Sequence, residues 1–365
     1  MKYHYRFARL PSDKKVLNDL NDASIRLKKK LAAIDIDKLD IEDSSKSQFS
    51  NHVVAGIDSS LRRFSYILSW ALANNHDAYE DFVLIDHGAG VGTMSLLAKE
   101  LGIGTVIYND LYEPYCRDAR TIAQALSGDL ADYYVHGNTD ELVDFLKTNL
   151  ISCNAIVSYD VIEHIYNIEK FLQSLPKMSN GPLTAVLASG ANPFNPKTLR
   201  YLTRFHKKAE YGGRKWKQGC RDDYLTTAYL TVRKEIISKY ASSLSGSEVE
   251  QIAKATRGLI EPDIKSVIDE YLKTGGICRQ PDHPSNTVNP YTGNWAERLH
   301  NIDHLLKVMT DAGFTAEVLP GYYGGSACNN PVKRAMGTFF NCVISTLGSK
   351  GLILAPFYTL YARKA

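Results

Sequence analysis

Residues 83–95 read Val83-Leu-Ile-Asp86-His-Gly88-Ala-Gly90-Val-Gly92-Thr-Met-Ser95. A short apolar strand closes on an acid, three alternate glycines follow, and helical spacing begins at Thr93. A strand that turns through glycines into a helix opens a nucleotide-type α/β unit. Glycine lets the backbone turn tightly and lets a ligand approach where a Cβ would stand. The spacing narrows the ligand: a dinucleotide fingerprint Gly-x-Gly-x-x-Gly set on Gly88 and Gly90 needs glycine at position 93, which is Thr93. The pattern is instead Asp-x-Gly-x-Gly-x-Gly, with Asp86 at its head.

Alternation of strand and helix continues on the carboxyl side. Strands are expected at residues 82–86, 105–109, 133–136, 155–159 and 183–188, with helices at 93–101, 113–126, 141–149 and 168–175. Five short apolar strands separated by helices predict a parallel sheet covered on both faces. Its ligand belongs at the strands' carboxyl ends. After residue 191 the alternation stops for about 110 residues, then resumes with a helix at 303–312 and a strand at 314–319. A helix at 332–347 and a strand at 354–362 close the chain; Pro356 suits the first residues of that strand or an exposed edge. Towards the amino terminus, Val16, Leu20, Leu27 and Leu31 give residues 12–34 helical spacing with Ser12 as N-cap, and a second helix is expected at 55–74 after a polar break at 40–47. The fold expected is α/β, a Rossmann-like seven-stranded mostly parallel sheet with helices on both faces. Residues 1–79 form a helical extension or lid, 80–192 the cofactor-binding core, 193–300 a large helical insertion that caps the acceptor site, and 301–365 the end of the core.

The second strand runs Val106-Ile-Tyr-Asn109-Asp110, setting a carboxylate near the roughly 20-residue distance at which such folds grip ribose hydroxyls. The third leads to His136-Gly137-Asn138-Thr139-Asp140, the fourth to Ser158-Tyr159-Asp160-Val161-Ile162-Glu163-His164. With these segments in place the sequence resembles the class I S-adenosylmethionine-dependent methyltransferases, whose first motif has an acid two positions before the glycines. The run Asp160-Val161-Ile162-Glu163-His164 is similar to the Asp-Val-x-Glu-His stretch of their small-molecule branch, which includes ubiquinone-type O-methyltransferases. The resemblance covers about residues 80–190 by motif and 300–365 by order of elements. It implies an enzyme of the EC 2.1.1 class with S-adenosyl-L-methionine as cofactor. Asp86 would reach the methionine amino group over Gly88, Gly90 and Gly92, and Asp110 with Leu111 would serve the ribose. Asn138 and Thr139 would lie by the adenine, and Tyr159 and Asp160 would line the cofactor after strand four. Asn138 stands where aspartate is common in the family. The cofactor carries an ammonium and a sulfonium where a dinucleotide carries a pyrophosphate, so strand-end carboxylates suit it. Two other readings stay open: a non-catalytic S-adenosylmethionine-binding protein with a regulatory or structural role, and an NAD(P)-dependent oxidoreductase.

Methyl transfer from a sulfonium is an in-line displacement in which the protein chiefly holds nucleophile and methyl carbon at attacking distance. A hydroxyl acceptor also gains from a base. His164, at the end of the fourth strand, is the expected one, because imidazole as a class exchanges protons near neutral pH. Glu163 would orient it or help hold a metal. An Asn/Asp-Pro-Pro-aromatic sequence after strand four is absent, as is a Pro-Cys nucleophile, which disfavours methylation of nucleic-acid bases. The expected reaction is O-methylation of a small or conjugated metabolite, such as a saccharide or natural-product intermediate. Arg200, Arg204, Arg214, Arg221 and Arg233 in the insertion suit a phosphate or carboxylate, or else form a solvated helical face. The polar and aromatic loop 282–298 offers His283, Tyr291, Trp295 and Glu297 as acceptor contacts.

Composition agrees with an enzyme of this kind and limits its partners. Hydrophobic residues at 44% and charged residues at 23% suit a chain that buries a core. A net charge of +3 is too small to argue for nucleic-acid binding on its own. The six cysteines, Cys116, Cys153, Cys220, Cys278, Cys328 and Cys342, show no Cys-x-x-Cys pair or zinc spacing and read as reduced thiols. The amino terminus lacks the apolar run of a secretory signal, and nothing approaches a membrane span, so the cytoplasm is expected.

Overall fold

The computed structural model describes residues 13–73, 75, 78–126, 131–277, 279–324 and 330–365. Among them lie seven strands: β1 Val83–His87, β2 Thr105–Asp110, β3 Tyr133–His136, β4 Ala155–Tyr159, β5 Leu183–Ser189, β6 Thr315–Pro320 and β7 Tyr358–Lys364. They form one sheet in the order β3-β2-β1-β4-β5-β7-β6. β1 to β5 pair in parallel, and β7 runs antiparallel between β5 and β6. This is the expected Rossmann-like α/β sheet. The order reverses at β1, with β2 on one side and β4 on the other, which makes the end of β1 the switch point at which open sheets of this kind bind ligands.

Strands buried on both faces need apolar residues at successive positions, and these strands have them. Leu84, Val106, Val157 and Val186 point to one face, where they meet α1 (Lys14–Ala33), α3 (Ile57–Ala71), α4 (Thr93–Leu101) and α5 (Glu113–Ala125). Ile85, Ile107, Ile156 and Leu187 point to the other, against α6 (Thr139–Thr148), α7 (Ile168–Ser174) and α12 (Ile302–Asp311). The amino-terminal helices therefore complete a layer of the sandwich: Leu20, Leu27 and Leu31 of α1 are buried in the same cluster as β1.

Several boundaries differ from the sequence reading. The cap of α1 is Asp13, whose carboxylate accepts from the amides of Lys15 and Val16; Ser12 lies outside the described residues. The segment read as a polar break contains α2 (Asp43–Gln48) and runs on into a π-helical turn, Phe49–Val54. Its serines hide its packing, since Ser44 and Ser45 are buried and the Ser45 hydroxyl donates to Asp118 of α5 at 2.6 Å. The last strand begins after Pro356, at Tyr358, and is interior, with β6 outside it as the edge. Pro356 thus ends the preceding turn and takes nothing from the ladder. Cys116, Cys153, Cys220 and Cys342 are free thiols, while Cys278 and Cys328 lie outside the described residues.

The insertion holds α8 (Pro196–Tyr211), α9 (Tyr229–Tyr240), α10 (Gly246–Ala255) and α11 (Glu261–Thr274). Val232, Ile236, Ile237, Ile252, Ile264 and Ile268 give this cap a core of its own. A buried ion pair ties its helices together. Arg233 of α9 is fully buried and pairs with Glu210 of α8, its Nε donates to the Ala253 carbonyl of α10 at 2.9 Å, and Thr287 donates to Glu210 at 2.7 Å. α13 (Pro331–Leu347) lies ahead of β7. Among the described residues no helix is long and apolar enough to cross a membrane.

Candidate active site

The glycine turn is held open by backbone that only glycine adopts readily. Gly88, Gly90 and Gly92 have φ of 68°, 54° and 75°. At Gly90 the constraint is also spatial, since a Cβ there would stand 2.5 Å from the Gln48 side-chain nitrogen of α2. The turn is tied to the end of β2: the Gly88 and Ala89 amides donate to the Asn109 carbonyl, and the Gly90 amide donates to Asp110 Oδ2 at 2.9 Å. The Tyr108 hydroxyl donates to the Gly90 carbonyl at 2.5 Å.

Two carboxylates flank this turn at the carboxyl ends of adjacent strands. Asp86 is 1% exposed; its Oδ2 accepts from the Ser95 hydroxyl at 2.7 Å, and among the described residues its Oδ1 has no well-formed hydrogen bond. Burial pushes its carboxyl up to about 7. Asp110 accepts from Gly90 and, through Oδ1, from the Tyr112 amide at 2.8 Å, which leaves a lone pair on each oxygen. Burial raises its carboxyl too, against those amides and the Arg221 guanidinium, which draw it down. An orphaned carboxylate oxygen is costly unless a donor arrives. A cationic group above the glycine turn would supply one.

The other strand ends are more occupied. Asn138 caps α6 in a capping box, accepting from the Asp140 amide at 2.7 Å while Glu141 accepts from the Asn138 amide, and Thr139 is the first residue of that helix. Leu111 projects from the end of β2, 63% exposed. Tyr159 packs edge-on against Phe64 and Phe357 beneath the Arg63 guanidinium. Asp160 turns with φ 53° and accepts from the Gly190 amide at 2.8 Å, which fixes the loop after β4 to the end of β5. His87, not singled out by the sequence, is bonded to Asn109 and stacked on Phe171; burial holds its imidazole down to about 4, so it is neutral.

A second feature lies where the loop after β4 meets the cap. His164, Trp295 and Glu297 line a pocket of about 170 Å³ together with Arg214, Tyr224 and Tyr229. The His164 Nδ1 lies 2.9 Å from the Trp295 carbonyl, an acceptor, so Nδ1 carries the proton and Nε2 is left with a lone pair in the neutral ring. That Nε2 is 3.7 Å from Glu297 Oε1. Glu297 has φ 60°, a strained setting for a residue with a Cβ, and burial raises its carboxyl while His164 draws it down. Glu163, the residue before His164, is fully buried, has no well-formed hydrogen bond to either oxygen, and is pushed well above the ordinary carboxylate range by burial and by the neighbouring Asp160 and Glu297.

Of the loop residues expected at the acceptor site, the pocket gathers Trp295 and Glu297. His283 and Tyr291 lie elsewhere. The His283 ring accepts from the Ser285 amide and shapes its own turn, and Tyr291 is 54% exposed beyond the pocket wall. Arg214, Arg221 and Tyr229 belong to the lining. In the sequence the arginines belong to a basic stretch, whereas no periodicity or motif marks Tyr229 or Gln48.

No protein-family model matches the chain, and no curated protein matches it. Solved structures do show likeness. The YcgJ protein of Bacillus subtilis is 14% identical over 37% of this chain and 55% of its own, with a TM-score of 0.31, so the chain spans about half of that protein. The plantazolicin methyltransferase BpumL in complex with SAH is 12% identical over 96% of this chain and 99% of its own, at a TM-score of 0.36. An S-adenosylmethionine-dependent methyltransferase from Mesorhizobium loti is 12% identical over 82% and 98%, at 0.38. Likenesses of this weakness leave the reading of the site to the chain's own residues.

Proposed function

We propose that this chain binds S-adenosylmethionine above β1 and transfers its methyl group to an oxygen of a small or conjugated acceptor held under the cap. One observation carries the reading: the buried Asp86 carboxylate keeps an oxygen without a partner at the head of the glycine turn. The methionine ammonium is a donor that fits it, and the free lone pairs of Asp110 fit ribose hydroxyls. A pyrophosphate in the same place would meet two carboxylates, which together with Thr93 argues against a dinucleotide.

The bound cofactor supplies an electrophilic methyl carbon on a sulfonium. The protein's part is to hold the acceptor oxygen in line and to take its proton. His164 does this through Nε2, which is freed by the Nδ1–H bond to Trp295. Glu297, facing Nε2, stabilises the imidazolium that forms.

The test is calorimetric titration with S-adenosylhomocysteine and, separately, with NAD and NADP. Binding of the first alone is expected. Asp86→Asn should weaken it about 10–100-fold, the worth of one charge-assisted hydrogen bond. The unliganded carboxyl, held up to about 7 against an ordinary 3.8, keeps its proton where an unfolded aspartate has lost it. Protonation of Asp86 thus favours the unliganded fold at low pH, and this contribution is lost as pH rises through about 7. Cofactor affinity should run the opposite way, falling as pH drops below about 7, and the trend should vanish in Asp86→Asn. Undiminished affinity in that variant would remove Asp86 from the site.

A further inference from the structure

The chain turns into the cap pocket at Gly213, with φ 67°, where a Cβ would stand 2.6 Å from the Thr226 carbonyl. The turn delivers Arg214, whose guanidinium lies 4.3 Å from the Tyr224 ring centre and 5.4 Å from that of Tyr229. Among the described residues its one side-chain hydrogen bond, from Nη2, goes to the Tyr229 hydroxyl, and its Nε is buried with no partner. Among the described residues Arg214 makes no ion pair. Arg221, across the same pocket, is by contrast neutralised by a two-point pair with Asp223. Arg214 is therefore a cation set in an aromatic cage with most of its planar donor fork unused, the arrangement that recognises an oxyanion.

We infer that the cap pocket is an anion site, and that the acceptor is a hydroxy acid whose carboxylate sits on Arg214 while its hydroxyl faces His164. Tyr229 adds a second donor to the same anion. Its phenol, raised by burial, stays protonated and can turn its hydrogen to the ligand while accepting from Arg214. Size and charge narrow the class further. A pocket of about 170 Å³ suits one ring, since a cavity of about 150 Å³ admits benzene. Asp223 and Glu297 also line it, so a singly charged carboxylate suits it better than a doubly charged phosphate. The hydroxyl half of this inference rests on the methyltransferase reading, whereas the anion half stands on Arg214 alone.

The test is a matched pair of single-ring probes, 3-hydroxybenzoate and 3-hydroxybenzamide, titrated into the full chain with and without S-adenosylhomocysteine. The acid is expected to bind at least about tenfold tighter than the amide. Arg214→Met should abolish that preference, and Arg214→Lys should keep part of it. Phenyl phosphate should bind more weakly than the acid. Equal affinities in the wild type, no saturable binding of either probe, tighter binding of phenyl phosphate, or a preference that survives in Arg214→Met would each overturn the inference. Should Arg214→Met fail to fold by circular dichroism, the wild-type pair and Arg214→Lys decide it. Calorimetry with S-adenosylhomocysteine judges the cofactor separately. Acid preference without cofactor binding would leave the anion site and remove the transferase, and the reverse outcome would do the opposite.

Discussion

Replacing His164 by alanine is expected to lower turnover by about 10²–10⁴-fold, the range over which a positioned general base contributes, with cofactor affinity nearly unchanged. The split follows from where the ring is held. Its Nδ1–H bond to Trp295 belongs to the cap side, and its nearest ionisable neighbour, Glu297, comes from the cap loop and not from the glycine turn. Removing the imidazole therefore takes away proton acceptance and leaves the Asp86 and Asp110 carboxylates where they are. Release of S-adenosylhomocysteine with a hydroxy-acid acceptor gives the rate, and calorimetry gives the affinity. Glu297→Gln should cost less, because it removes stabilisation of the imidazolium and not the base. Equal turnover in His164→Ala would take the residue out of the mechanism, and a parallel collapse of cofactor affinity would make it structural.

Arg233→Met should destabilise the protein by about 3–5 kcal/mol, the cost of stranding a buried charge. Glu210 is 2% exposed and would keep only the Thr287 hydroxyl as a donor. Against a total stability on the order of 5–15 kcal/mol the loss is large. It should appear first in the cap, whose helices α8, α9 and α10 share this one ion pair. Replacing both partners, Arg233→Met with Glu210→Met, should recover most of the loss, since an apolar pair of similar volume does without desolvated charge. Denaturant unfolding of the two variants measures this. A single variant as stable as the parent would show that water reaches the pair.

The parts of this protein that were legible in its sequence are those governed by short-range rules. The glycine turn announces itself through Asp86, Gly88, Gly90 and Gly92, and the parallel strands through unbroken apolar runs such as Val83-Leu-Ile. What escaped depends on tertiary partners. The α2 segment looked like a break because its buried residues include serines, and only the presence of Asp118 opposite explains why Ser45 can be buried. Arg214 and Arg233 stand in one basic stretch, yet one faces a pocket and the other an internal carboxylate. That difference is set by Glu210, 23 positions from Arg233. Tyr229 takes its place through tertiary packing, buried with Ala209 and Ala296, where the turn at Gly213 brings Arg214 onto it.

Gln48 lies on Gly90, and the helix that carries it is tied to α5 through the Glu42 amide and Ser45 hydroxyl, both of which donate to Asp118. Gly219 of the cap packs against Ser47, the Tyr112 hydroxyl donates to Asp222 at 2.9 Å, and the Arg221 guanidinium rests on the Tyr112 ring at 4.2 Å. The latch over the glycine turn and the wall of the acceptor pocket thus share one short stretch of chain, residues 219–222. If the cofactor binds above β1 as proposed, its dwell time, as distinct from its affinity, would come under the control of the acceptor side. On the proposed reading, a molecule seated against Arg221 would steady this stretch, and spent cofactor should then leave more slowly while the pocket is filled. Stopped-flow displacement of S-adenosylhomocysteine, run with and without a hydroxy acid present, would show the difference, and identical dissociation rates would mean that the latch opens independently.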